Sequence, residues 1–534
     1  MRKTILVSTV LMASLMAQAA APKAKVANKL PEKKVTSTNV QTPKVYTKNT
    51  NPNIRSQIAN ALTQIRNGQF VQAANNLLAL SRRSELASEK PQLKYLLGVT
   101  LMELNMNQVA SFQFVDVIKS GDGKYTKQAL EKLLVATDRL GDETLLNYAL
   151  QRIDVNSVPT QHKDMLYFRL GEIKQKAGIY SEAVQYYSKV TAGSRYYLNA
   201  LYNMGLAQAE ANQTDLALES FQKLYNQRAS ASVTDTNKVA AQMAIARTLY
   251  QKKDWEGSIE AYSKIPRDHV MWHDSLFERS WAMLRAARFR SALSNFQSLH
   301  SSYYDDFYIP ETLLLRSIVY LYICKYDEMD KVLNLYDKQY GPVEKSIESF
   351  VGAKKSAELY FQEINKAYTI KTKENTKLTT QISYKALRHV AEEGDVRRSL
   401  SYIKKLLEER RVIDENPQIK SSSIGAYSLK LLVNRTRSAK AMTGDLVKAH
   451  LQNMLLELKD LREQSSLIRY EMINGKKESI KKRIAGKDLN EVQVDENKDR
   501  SFYVQNGYEY YPFQGEYWLD EVGNFHYLGK QNCE

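Results

Sequence analysis

The sequence predicts an all-α protein, a solenoid of stacked helical hairpins that ends in a small C-terminal β-hairpin. Three observations lead there. Only 21 Gly and 11 Pro occur in 534 residues, too few turn formers for a sandwich, a barrel or a doubly wound sheet of this length. Small, aromatic and apolar residues recur through the middle of the chain at a fixed long period, the mark of a stacked array. At residue 501 the composition changes abruptly to an aromatic, acidic tail. With 43% hydrophobic and 25% charged residues, the chain is neither a polytopic membrane protein nor wholly disordered. The excess of Tyr over Phe, 34 to 14, predicts rings packed at half-wet surfaces rather than in one large dry core.

Arg2 and Lys3 precede an apolar run from Thr4 to Ala17, and Ala17, Gln18 and Ala19 form an A-x-A site. Residues 1–19 therefore read as a signal peptide cleaved after Ala19. The run is shorter than the ~20 residues a spanning helix needs. No Cys follows it to be acylated, and no later stretch approaches a spanning helix, so the expected location is the periplasm. Residues 20–50 hold seven lysines (23, 25, 29, 33, 34, 44 and 48) against one acid, Glu32, the composition of a disordered cationic leader. Such a leader either touches anionic headgroups and wall polymers or acts as a solvated spacer. The whole chain carries a net charge of +17 at pH 7, but export would separate it from nucleic acid, which is not an expected partner. Cys324 and Cys533 are the two cysteines; Cys324 reads as a buried inert thiol, although an oxidising compartment permits the pair.

From residue 51 to 340 the chain reads as repeats. Gly171, Ala183, Tyr187 and Val190 recur 34 residues later as Gly205, Ala217, Phe221 and Leu224, and Ala246, Ser258, Tyr262 and Ile265 recur as Ser280, Ala292, Phe296 and Leu299. A small residue on each of two antiparallel helices lets them approach, and the aromatic is expected to fill the gap to the next unit. Weaker units place Gly68, Phe70, Ala73 and Leu77, then Gly98, Ala110 and Phe114, then Tyr320, Met329 and Leu333 in the same slots. Leu134, Gly141 and Leu150 fit only loosely, giving about eight units in all. The pattern, clearest in the segment from Ala177 to Val190, resembles the tetratricopeptide repeat. That resemblance implies a right-handed superhelix whose inner groove is lined by the first helix of each unit and binds proteins.

Residues 341–440 read as degenerate helical repeats, with Val343, Ile347, Val351, Tyr360 and Ile364 along one face and a loop expected at 413–424 around Pro417. Residues 441–486 read as one long helix. Its positions Val447, Leu451, Met454, Leu458, Leu461, Ser465, Ile468 and Met472 form a heptad seam, which either pairs two copies of the chain in a homodimer or covers the end of the array. Gly475 and the basic cluster Lys476, Lys477, Lys481, Lys482 and Arg483 lead to a polar linker at 487–500. In the tail at 501–534, alternation on either side of Gly523 and Asn524 predicts the β-hairpin. Phe513, Trp518, Asp520 and Glu521 are its candidates for docking onto the cationic array, rings into a groove and carboxylates toward Lys or Arg. The signal peptide, the repeats and this ending together resemble envelope tetratricopeptide-repeat proteins of gliding and predatory bacteria, among them adventurous gliding motility proteins. The resemblance implies a periplasmic part of a motility complex.

No phosphate loop, nucleophile elbow, zinc-protease or CxxC motif is present, so no enzyme and no cofactor are expected. His269 and His273 stand four apart beside Asp268 and Asp274, but such pairs recur by chance on exposed helix starts, and no metal site is expected. Asp520 and Glu521 are adjacent, so a strand would point them to opposite faces, against an acid and base pair of a carbohydrate-active site. By the pattern of the repeat family, Phe168, Tyr202, Met243 and Phe277 face the groove, with Glu172, Arg247, Trp281 and Arg285 beside them. The alternative is that the rings pack the core between helices, since a one-position shift turns a side chain by about 100°. The expected function is a scaffold for protein partners in the cell envelope, with recognition of an anionic polymer such as peptidoglycan or lipopolysaccharide as the rival reading.

Overall fold

The computed structural model describes residues 52–121, 123–142, 144–150, 163–227, 235–304, 307–372, 379–484 and 522–525. The signal peptide, the leader, the linker and most of the tail, including the expected hairpin strands, lie outside the described residues. Regular structure among the described residues is helical.

The chain divides into two units. The first contains α1 (Pro52–Arg66), α2 (Phe70–Ser81), α3 (Lys90–Glu103), α4 (Asn107–Lys119), α5 (Gly123–Leu140) and α6 (Thr144–Leu150), each packed on the next. The second contains α7 (Lys163–Lys176) from Tyr167 onward, α8 (Tyr180–Ser188), α9 (Tyr197–Glu210), α10 (Thr214–Tyr225), α11 (Asp235–Gln251), α12 (Trp255–Ser263), α13 (Trp272–Arg285), α14 (Phe289–Leu299), α15 (Glu311–Tyr322) and α16 (Tyr326–Gly352). Here too neighbours in sequence are neighbours in space.

A backbone device repeats at every turn between the two helices of a hairpin. Gly68, Asn105, Gly141, Gly178, Asn212, Lys253, Ala287 and Cys324 all have φ between 56° and 73°, the left-handed conformation that ends a helix. At seven of these turns the next N–H reaches back five residues, as Gln213 N does to Gln208 O at 2.8 Å and Lys325 N to Tyr320 O at 2.8 Å. The helix is thereby stopped and its last carbonyls are satisfied, while the chain reverses. Non-glycine residues at five of these positions explain why turn composition alone understates the regularity.

Packing within a hairpin rests on the small and aromatic slots. A Cβ placed on Gly98, Gly171 or Gly205 would come within 2.5 Å of Phe114, 2.5 Å of Tyr187 or 2.6 Å of Phe221 respectively. In each case the ring belongs to the second helix of the same hairpin, so it covers its own glycine instead of filling the gap to the next unit. We expect Gly205→Ala to destabilise the second unit. The helix-propensity gain of ~1 kcal/mol is smaller than the ~1–3 kcal/mol of overpacking against a ring that is itself buried. Unchanged or raised stability in urea unfolding would refute the close-approach account.

The remaining helices are α17 (Ala357–Thr372), α18 (Tyr384–Glu392), α19 (Gly394–Glu415), α20 (Pro417–Lys420) and α21 (Ser423–Ile484). In the first unit, α19 packs on α4 and α5. The loop expected at 413–424 shrinks to a joint. Asn416 Oδ1 accepts from Gln418 N at 3.0 Å and Ile419 N at 3.2 Å, and Ser422 Oγ accepts from Gly425 N at 3.1 Å. Asn75 Oδ1, from α2, accepts from Ile424 N at 2.9 Å. These caps start the long helix at Ser423 rather than at 441.

In the second unit, residues 447–484 of α21 run antiparallel along α16, which continues past the expected boundary at 340 with Pro342 inside it. Lys459 pairs with Glu348 at 2.6 Å, Arg469 with Asp337 at 2.7 Å and Lys476 with Asp327 at 2.8 Å. Val447, Leu451, Met454, Leu458, Leu461, Ser465 and Met472 are buried, and Tyr336 Oη donates to Leu458 O at 3.4 Å. The heptad seam is thus covered by its own chain, and a homodimer through 447–472 would first have to displace α16.

Candidate protein-interaction face

The second unit presents a face built by its first helices, α7, α9, α11, α13 and α15. Polar pairs connect each of these helices to the next along it, apart from α9 to α11, where the link runs to the backbone. Gln175 Nε2 donates to Glu210 at 3.4 Å, and Gln251 Nε2 donates to Ala209 O at 3.1 Å. The Arg247 guanidinium donates to both carboxylate oxygens of Glu278, at 2.7 Å and 2.6 Å, while Tyr262 Oη donates to Glu278 Oε2 at 2.8 Å. Arg285 Nε donates to Tyr250 Oη at 3.4 Å. Burial alone would lower the Arg247 pKa, but the bidentate Glu278 carboxylate overrides it and holds the guanidinium charged. Glu311, at the start of α15, is pushed up to about 7 by burial and by the Glu457 carboxylate, against the hydrogen bond from Trp281.

Among the residues expected to line a groove, the polar ones lie here. Glu172 is held by Arg169 at 2.6 Å, Arg247 and Arg285 are held as above, and Phe277 and Trp281 are half-buried. Phe168, Tyr202 and Met243 are corrected: all three are buried core residues. The Phe168 ring stacks on Tyr196 with centroids 5.6 Å apart and tilts over Tyr187 at 6.0 Å, and Tyr202 tilts over Phe221 at 5.7 Å. A position or two along each helix turns the side chain from the core to the open face, and apolar burial decides which residue takes the core. Sequence reading missed Glu278, next to Phe277, and Glu311; no local signal pairs either with its partner about thirty residues away.

Neither His269 nor His273 is placed as an open ligand. His269 Nδ1 accepts from Met271 N at 3.1 Å, and the buried His273 ring packs on Phe307 at 4.2 Å and on Tyr304 at 4.6 Å. Cys324 is disulfide-bonded, so it is not the free thiol expected from the sequence; the chain's other cysteine, Cys533, lies outside the described residues.

Phe513, Trp518, Asp520 and Glu521 also lie outside the described residues. The turn expected at Gly523 and Asn524 is present and sits on the second unit. Val522 is buried, Gly523 N donates to Ser298 Oγ at 2.7 Å, and Arg267 donates to Asn524 Oδ1. A Cβ on Gly523, whose φ is 89°, would come within 2.7 Å of the Trp272 ring, so the turn has room only for glycine.

Antiparallel helix pairs with a left-handed turn residue and a small residue beneath a ring define a helical-repeat protein. Residues 199–229 match the tetratricopeptide repeat family. No curated protein sequence matches the chain. Among solved structures, a tetratricopeptide repeat protein from Parabacteroides merdae is similar at 16% identity, covering 53% of this chain and 92% of its own, with a TM-score of 0.23. The TPR domain of P58(IPK) is similar at 11% identity, covering 72% of this chain and 99% of its own, with a TM-score of 0.18.

Proposed function

We propose that the protein is an exported, non-catalytic scaffold that holds protein partners in a cell-envelope assembly on the first-helix face of its second unit. The observation behind this reading is the ladder of polar pairs from Gln175 to Glu311. Apart from the buried Glu311, its side chains are fixed by one another yet stay partly exposed, so a partner meets a preorganised surface with two half-buried rings, Phe277 and Trp281. The tetratricopeptide repeat supports a binding role. The A-x-A site after the apolar run and the disulfide at Cys324 support an oxidising compartment. The likeness of the tail to that of gliding motility proteins makes a motility complex the first assembly to examine.

The test is crosslinking in intact cells, then affinity purification and mass spectrometry, with wild type and a Phe277→Ala, Arg285→Glu variant. Envelope partners should be recovered by the wild type and reduced about tenfold or more in the variant, at unchanged melting temperature; a tenfold loss is ~1.4 kcal/mol. Equal recovery by both would eliminate this face, and recovery of cytoplasmic partners alone would eliminate the compartment.

The net charge of +17 and the lysine-rich leader favour a second reading, binding of an anionic envelope polymer. Salt separates the two: charge-driven polymer binding collapses between low and physiological ionic strength, whereas ring contacts persist.

A further inference from the structure

The C-terminal end of α21 outruns its packing partner. Gly475 lies against Tyr326, the first residue of α16, and Lys476 pairs with Asp327 at 2.8 Å. The helix nevertheless continues to Ile484, roughly 13 Å further at 1.5 Å per residue. Over this end, Tyr470, Ile473, Ile480 and Ile484 are 62%, 59%, 55% and 80% exposed. At 100° per residue these four fall within one arc of about 80°, distinct from the buried seam through Leu461, Ser465 and Met472. Residues 469–484 also hold six basic residues against two acids. Lys477 is exposed inside the apolar arc, with Lys476 and Lys481 at its two edges. Tyr322, at the end of α15 and four residues before Tyr326, is a further exposed ring at this end.

We propose that this overhanging, basic amphipathic segment docks the protein on an anionic lipid surface. Its helix lies in the plane of the interface, with Tyr470, Ile473, Ile480 and Ile484 among the upper acyl chains and the lysines at headgroup phosphates. The position of Lys477 favours lipid over an apolar groove on a protein. A groove would bury its ammonium group without a partner, whereas at a lipid interface the long stem lies along the apolar layer and the charge reaches water and phosphate. No helix among the described residues is long and apolar enough to cross a membrane, so the contact is peripheral. This inference is independent of the proposed partner face.

The experiment is co-sedimentation of the full chain with vesicles of equal parts phosphatidylglycerol and phosphatidylethanolamine, and separately with phosphatidylcholine vesicles. Wild type should pellet with the anionic vesicles and stay in solution with the zwitterionic ones. The Ile473→Ser, Ile480→Ser, Ile484→Ser variant should lose more than about tenfold in bound fraction while its melting temperature is unchanged, since these side chains are already exposed in the free protein. Lys477→Glu with Lys481→Glu should weaken binding in the same direction. Full binding by the triple variant would mean that other cations, such as those of the leader, do the work, and would overturn the proposal. It would also be overturned if wild type bound neither vesicle, or if the triple substitution changed only the oligomeric state, since the stripe would then belong to a second copy of the chain.

Discussion

Glu278→Ala is expected to lower the unfolding free energy of the second unit by about 3 kcal/mol, because it removes one partner of a mostly buried ion pair and leaves the Arg247 guanidinium uncompensated. The same change takes away the acceptor of Tyr262 Oη, which is held at 2.8 Å. Replacing both members of the pair, Arg247→Met with Glu278→Leu, should cost much less, since no buried charge remains. A double-mutant cycle in urea therefore reads the coupling directly. If Glu278→Ala cost no more than a surface substitution, within ~0.5 kcal/mol, the pair would have to be solvated and the ladder would not be preorganised. For a scaffold this bears on function, because a face whose side chains must first be ordered binds more weakly.

Unit 1 should lose stability between about pH 5 and pH 8, and Glu409 is the reason. This carboxyl, on α19, is buried and accepts from Gln108 N at 2.8 Å and Val109 N at 3.2 Å, so it caps the first turn of α4 across the fold. Burial pushes its pKa up to about 7, against the two backbone donors, which favour the charged form. An acid whose pKa rises on folding contributes stability that is fully present below its unfolded pKa, near 4.5, and lost as pH passes through about 7. The span corresponds to at most about 3 kcal/mol. Glu409→Gln should abolish this part of the pH dependence, so the difference between wild type and variant should change with pH in this window. Glu409→Ala should cost roughly 2–4 kcal/mol near pH 5, since two buried N–H groups lose their acceptor, and less as pH rises through about 7, where the wild type has lost its titration-linked stability. A wild-type minus Gln difference that stays flat from pH 5 to pH 8 would show that Glu409 does not titrate in this range.

Much of the fold was legible in the residues. The 34-residue correspondence between Gly171 and Gly205 pointed to the close approach of helices seen beneath Tyr187 and Phe221. The number of hairpin turns agrees with the eight left-handed turn residues. The heptad seam from Val447 to Met472 was readable as an apolar face, but not its occupant: α16 of the same chain covers it. The candidate face was legible only in part. Glu172, Arg247, Trp281 and Arg285 are partly exposed, while Phe168, Tyr202 and Met243 turned inward, because a small rotational error on a helix exchanges core for surface.

By itself, then, the sequence determined what nearest neighbours along the chain can settle: hairpins, their turns, and which helix faces are apolar. These depend on periodicity and on contacts within a few tens of residues. Tertiary structure alone decided the rest. Asn75 caps α21, Glu409 caps α4, and Gly523 sits on Trp272, each across more than two hundred residues. Such pairings leave no periodic trace, since a single carboxylate or amide that meets an unsatisfied N–H can come from anywhere the packed helices bring it.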